Sequence, residues 1–308
     1  MALRSLNNAL PDAIQRPKKV AKVSAIPLDK ASSPGSVENM NPTLLPNAAD
    51  QSSEYIVSED LKPLGDPEAR VKTLREELAS KNWIEVCGAL NDVRRLALHH
   101  SSLLQPILEQ VMKIIEKSMK NPRSALCKTA IMTSADIFHS FGHLLMSMSD
   151  QTMILDNLLL QLLLKASQDK RFVCEEAAKV LEKMAESIPR LPLVNKLQPY
   201  VSHSNLRVRA KAGTAISKIV SNMSYIEMKD FGIPNLLQIA AELLNDRLPE
   251  AREASRSIIC SIYREISQVT DTKEDNGDGA AVAVLWRDLC ASILPPNRAH
   301  SVEKIVFL

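Results

Sequence analysis

An all-α solenoid of stacked helix pairs is the fold class this sequence predicts, and three observations carry it. Beyond residue 66 the chain is filled largely with Leu, Ala, Ile, Met, Lys and Glu, with 8 glycines and 4% aromatic residues in the whole 308; such a composition favours helix over strand. Apolar residues recur there at helical spacing, in stretches parted by short polar breaks. One register of apolar and small residues then returns several times along the chain, at intervals typical of helical repeats. An apolar content of 45% is enough to build a core.

The elements follow in order. Residues 1–62 carry Pro11, Pro17, Pro27, Pro34, Pro42 and Pro46 with almost no apolar period, and read as a disordered Pro/Ser-rich tail. Residues 63–308 read as the folded domain. Asp66-Pro67-Glu68 starts a helix, with a capping Asp and a proline in the first turn, that runs to about Ala79. Its partner follows Trp83 and runs to about His99, with Val86, Leu90, Val93 and Ala97 on one face. Further pairs are expected at Leu103 to Met119 with Ser124 to Phe141, Met153 to Ser167 with a helix ending near Ser187, Leu191 to Val201 with a helix ending at Asn222, and Phe231 to Asn245 with a helix ending at Ile266. A polar stretch at about 270–279 reads as a loop, and a sixth, partial repeat follows around Val282 to Ile293.

The second helices can be laid over one another at positions 0, +4, +8 and +11. Leu126, Ala130, Ser134 and Ile137 match Val173, Ala177, Leu181 and Met184, then Val208, Ala212, Ile216 and Ile219, then Ala251, Ser255, Ile259 and Ile262. The small residue at +4 each time suits helices that approach closely. The starts lie 47, 35 and 43 residues apart, near the roughly 40–47 of HEAT and armadillo repeats. The fold is therefore expected to be a HEAT/armadillo-like solenoid of about five to six helix pairs, in which each pair needs a neighbour to cover its apolar face.

Composition also narrows the function. The formal net charge of +2 provides no overall field for nucleic acid. Cys87, Cys127, Cys174, Cys260 and Cys290 are far apart and contain no CxxC pair, which points to a reduced, intracellular protein. No apolar run follows Arg4 in the manner of a secretion signal. The greasiest run, Met153 to Leu164, is interrupted by Asp156, Asn157 and Gln161 and falls short of the roughly 20 residues of a membrane span. His139 and His143 have a zinc-compatible spacing without an HExxH motif or a third ligand, and no GxGxxG, Walker or GxSxG motif occurs. Neither a catalytic site, a metal nor a cofactor is expected.

The turns inside the helix pairs hold the candidate site. They carry Lys81 and Trp83; Lys120, Asn121 and Arg123; Lys170 and Arg171; Asn205, Arg207 and Arg209; and Arg247 and Arg252. A basic residue at an exposed loop is common and by itself only solvates it. Bases at all five turns are harder to attribute to that, because the first turn of a following helix prefers acids. Equivalent turns of a solenoid share an edge, so the expectation is a basic strip for an acidic protein partner. Trp83 is either the cap of the first repeat's core or an apolar anchor within that strip. The tail segment Arg16-Pro17-Lys18-Lys19 with Lys22 is a further basic patch, whose contacts would be weak and salt-sensitive.

The Trp turn in ASKNWIEVCGALNDVRRL, the breaks NPRS and SNLRVRAKA, and the fifth repeat RLPEAREASRSI resemble the TOG domain, especially that of CLASP N-terminal and TOGARAM (crescerin) proteins, over about residues 66–266. The resemblance implies a TOG-like paddle whose intra-repeat turns lie on tubulin. Trp83 matches the first-turn tryptophan, and Lys120, Lys170, Arg207 and Arg247 match the later basic positions. It implies a non-catalytic tubulin- or microtubule-binding protein, located in the cytoplasm on the cytoskeleton, that regulates microtubule dynamics through a single such domain, with no membrane or nucleic-acid partner. The other reading left by the residues is a HEAT or armadillo adaptor for a different protein; an import-type groove would need ladders of Trp and Asn, and only Trp83 and Trp286 are present.

Overall fold

The computed structural model describes residues 55–147, 152–271 and 279–307. Residues 1–54 of the expected tail, with its basic segment, and residues 272–278 of the expected loop lie outside them. Every regular element among the described residues is helical, and all belong to the unit Ser52–Leu308.

Helix α1 (Pro67–Leu78) starts where the Asp66 carboxylate accepts the Ala69 N–H at 3.0 Å, with Pro67 at its first position. Helix α2 (Trp83–His99) buries Val86, Leu90, Val93 and Ala97, as their spacing predicts. The helix expected from Leu103 to Met119 is instead broken into α3 (Ser101–Leu104), a 3-10 turn at Gln105–Ile107, and α4 (Leu108–Met119). Pro106 is the cause, because it has no N–H to donate into the i→i−4 ladder. Helix α5 (Ser124–Ser147) runs on past Phe141, where its end was expected.

Next come α6 (Thr152–Ala166) and α7 (Arg171–Ser187), then α8 (Arg190–Leu197) and α9 (Leu206–Val220). Pro199 turns the end of the expected Leu191 to Val201 helix into a 3-10 segment, Gln198–Ser202. Helix α10 (Tyr225–Phe231) was not anticipated, although Ser224 and Glu227 cap it reciprocally. It ends at Gly232, whose φ of 100° is one that a side chain rarely tolerates. Helices α11 (Ile233–Leu243) and α12 (Pro249–Asp271) form the fifth pair, and α13 (Gly279–Ile293) and α14 (Pro296–Phe307) complete a sixth, longer than the partial repeat expected.

The second helices stack in sequence, α2 on α5, α5 on α7, α7 on α9 and α9 on α12. All sixteen residues of the repeated register are buried. The small residues at +4, Ala130, Ala177, Ala212 and Ser255, are fully enclosed. The Ser255 hydroxyl finds the Ala240 carbonyl at 2.6 Å, so its polarity is satisfied in the core. The greasy run forms α6, with Leu155, Leu158, Leu159, Leu162 and Leu163 inside, and no helix among the described residues is long and apolar enough to cross a membrane.

Residues 55–62, assigned to the tail by composition, lie against α2 and α5. Leu61 is buried, and its carbonyl oxygen is 2.7 Å from His99 Nε2. The segment has no apolar period of its own, and its place is set by side chains on distant helices.

Candidate functional site

Four of the first five turns between the helices of a pair are built by the same local device. In the first, Asn82 Oδ1 accepts the Ile84 N–H at 3.1 Å. In the second, Asn121 Oδ1 accepts the Arg123 N–H at 2.9 Å, and in the fourth Asn205 Oδ1 accepts the Arg207 N–H at 3.0 Å. In the fifth, Asp246 Oδ1 accepts the Leu248 N–H at 2.8 Å. An Asn or Asp that bonds the backbone two residues on closes the turn and satisfies an orphan donor of the coming helix. Asn205, a predicted contact residue, therefore has its carbonyl oxygen committed to the fold. The third turn departs from the device, closing with the Lys170 carbonyl accepting the Val173 N–H at 3.0 Å.

Contacts between successive turns bring the predicted residues together on one edge. The Arg123 guanidinium lies over the Trp83 ring at 5.3 Å from its centroid, joining the first turn to the second. Lys170 Nζ reaches Ser124 Oγ at 3.3 Å, joining the third turn to the second. Arg207 Nη1 donates to Asp169 Oδ1 at 2.5 Å and to the Ser167 carbonyl at 3.2 Å, joining the fourth to the third. Arg209 Nε donates to Asp246 Oδ2 at 2.8 Å, joining the fourth to the fifth.

The cations of the edge fall into distinct groups. Among the described residues Lys81, Arg123, Lys170 and Arg247 have no carboxylate partner, and all four are exposed. Lys120 pairs with Glu116 and Arg171 with Glu175, each one helical turn away at 2.6 and 2.7 Å. Arg252 folds back on the carbonyls of Asp246 and Arg247 at 2.8 and 3.0 Å, and is half-buried. It holds the fifth turn in shape. The Asp246 carboxyl is disfavoured as an anion by burial, but the Leu248 N–H and the Arg209 guanidinium outweigh that and hold its pKa below the ordinary range. Glu85 is likewise held low, by the Ser80 hydroxyl and the Asn82 amide.

Trp83 is half-buried: it packs on the core with one part of its ring and offers another to Arg123. Its packed part caps the core of the first repeat, and the rest of the ring lies on the edge. Two further apolar side chains stand on the edge, Ile84 at 36% exposure and Phe172 at 44%. They were not singled out from the sequence, yet a signal was there. Phe172 immediately precedes Val173, the first position of the core register, so it must point away from that core; Ile84 is off the Val86, Leu90, Val93, Ala97 stripe in the same way. The edge thus alternates free cations with half-exposed apolar rings and branches, a surface suited to an acidic protein face. His139 and His143 have no such company, and no group of three or more His, Cys, Asp or Glu among the described residues is placed to hold a metal.

This architecture, a stack of helix pairs with its intra-repeat turns along one edge, shares its fold with TOG domains. The TOG domain of Zyg9 from C. elegans superposes with a TM-score of 0.55, covering 82% of this chain and 90% of that one at 14% identity. A TOG domain of crescerin, described as using a TOG domain array to regulate microtubules in the primary cilium, gives 0.52 over 76% of this chain and 88% of that one, at 13% identity. In sequence the chain is similar to TOG array regulator of axonemal microtubules protein 1 of Mus musculus, 27% identical over 213 residues, which is 68% of this chain and 12% of that protein. The chain therefore spans about one eighth of that relative's length. The Homo sapiens protein of the same name is 28% identical over 137 residues, 44% of this chain and 8% of that protein. No protein-family model matches the chain.

Proposed function

We infer that this chain binds tubulin or microtubules and regulates microtubule dynamics through the intra-repeat turns of its TOG-type domain, as a non-catalytic protein of the cytoplasmic cytoskeleton. The observation that supports this most is the unbroken series of contacts from Trp83 through Arg123, Ser124, Lys170, Asp169, Arg207 and Arg209 to Asp246. It makes five separate loops one surface. The fold and the sequence similarity to proteins named for their action on microtubules point to the same class of partner. In this reading Lys81, Arg123, Lys170 and Arg247 meet the acidic surface of tubulin, Trp83 and Phe172 supply apolar anchors, and Lys120, Arg171 and Arg207 exchange their internal acids for external ones. Asn205 and Arg252 keep the turns in shape.

Co-sedimentation with microtubules, beside gel filtration with unpolymerised tubulin, tests the reading and separates a lattice binder from a dimer binder. Arg247→Glu and Phe172→Ala are the informative variants, because neither side chain leaves a folded partner behind. A central anchor is worth roughly 2 kcal/mol, or about 30-fold in Kd. Each variant is expected to weaken binding at unchanged Tm. If both bind as wild type while Trp83→Ala only lowers the Tm, the edge is not the interface, and an adaptor for another protein takes its place.

A further inference from the structure

The least solvent-exposed charges of the described chain are not on the edge. Arg94 of α2 is 1% exposed and Asp136 of α5 is 2% exposed, and they pair across the two helices at 2.6 Å. A buried pair of this kind is tolerable only when the remaining donors and lone pairs are also matched. Here the matching groups come from the segment that composition assigned to the tail. The Ile56 carbonyl accepts from Arg94 Nη1 at 2.7 Å. The Ser58 hydroxyl donates to Asp136 Oδ1 at 2.7 Å and accepts from Arg94 Nη2 at 3.2 Å. Ser58 thus touches both charges at once, while its neighbours Val57, Glu59 and Asp60 are exposed.

We propose that Ser58 is a modification site, phosphorylated by a protein kinase that accepts acidic residues after the serine, and that phosphorylation releases residues 55–61 from α2 and α5. In the reaction the Oγ–H bond of Ser58 is replaced by an Oγ–P bond. The γ-phosphoryl group comes from a nucleoside triphosphate, the nucleoside diphosphate leaves, and the hydroxyl proton passes to the kinase's base. The chemistry needs a hydroxyl that can be presented in an extended segment, and Ser58 lies in a three-residue 3-10 turn followed by Glu59 and Asp60. It is held by contacts to distant helices and by no regular ladder.

The direction of the effect follows from the charges around Ser58. The neutral hydroxyl completes a pair whose charges sum to zero. Phosphate brings about −1.5 to −2, removes the proton that Asp136 accepts, and sets like charge against a nearly buried carboxylate. Four of the five Arg94 N–H groups are already used, on Asp136, Ile56, Asn91 and Ser58 itself, and the single one that remains, on Nη2, cannot offset a phosphate set beside Asp136. The clefts beside Ser58 offer Lys179, Lys183 and His139, but Glu59, Glu176 and Glu186 line the same clefts. No cationic cradle is in place to receive the group.

The test uses the full chain, incubated with ATP and an acid-directed Ser/Thr kinase, with mass spectrometry to locate phosphate and amide hydrogen exchange to follow residues 56–61. Phosphate on Ser58 should accompany roughly tenfold or greater loss of protection in that segment. Ser58→Glu should reproduce the loss without a kinase, and Ser58→Ala, which adds no charge, should show a smaller one. Circular dichroism controls for folding. The proposal is overturned if Ser58 takes no phosphate, or if phosphorylated Ser58 and Ser58→Glu keep or gain protection, which would place the anion on Lys179 and Lys183.

Discussion

Asp246 shows how much one side chain of the edge does. Its two oxygens serve the Leu248 N–H and the Arg209 guanidinium, closing the fifth turn and tying it to the fourth. Because its pKa is lowered on folding, its contribution is fully present above the ordinary aspartate value of about 3.9 and is lost as the pH falls through the lower folded value. Asp246→Asn should keep the acceptor for Leu248 but lose the charge-assisted bond. It should therefore lower stability at pH 7 by about 1–2 kcal/mol and flatten the acid limb of a Tm-against-pH curve. An acid limb identical to wild type would mean that other carboxylates carry it. No local pattern marks Asp246 for the second of these roles, the tie to the fourth turn, since its partner Arg209 is thirty-seven residues away.

At the scale of elements, α5 shows what helix periodicity leaves out. Its apolar register was legible, but its length was not, and Gly142 is the reason that length can be accommodated. A Cβ built on Gly142 would lie 2.3 Å from the Ser187 carbonyl oxygen at the end of α7. Glycine here permits a backbone to approach and does not break the helix. In an exposed helix Gly→Ala would stabilise by up to about 1 kcal/mol; Gly142→Ala should instead destabilise by about 1–3 kcal/mol, the usual cost of forcing an overpacked contact. Urea unfolding decides the sign. The same distinction separates Pro106 and Pro199, whose effect on their helices is local, from Gly142, whose role exists only because α7 is adjacent.

For the molecule as a whole, the balance of charge explains why a formal net charge of +2 is compatible with an electrostatic interface. Lys81, Arg123, Lys170 and Arg247 stand exposed at the turns without a carboxylate partner, while acids elsewhere are committed to ion pairs, as Asp92 is to Arg70 and Arg95, and Glu227 to Arg190. Binding through that edge should weaken several-fold or more between 50 and 200 mM salt, where the Debye length shrinks from about 14 to 7 Å. Charge reversal at Arg247 should reduce the salt slope as well as the affinity. A salt-independent affinity, measured in the same co-sedimentation assay, would assign the binding to the apolar contacts alone.

The sequence by itself determined the helix pairs, their register, the cap of α1 and the basic turns, because each of these is written in spacings of a few residues: the Asp66-Pro67 start, the +4 small residue, the bases beside each break. Only the tertiary structure decided which bases reach acids of other repeats, and that residues 55–62 belong with α2 and α5. Those outcomes depend on partners some forty residues apart, such as Asp169 with Arg207 and Arg94 with Asp136. A repeat of that length brings them together by stacking, and no local pattern announces which side chains will then be within reach.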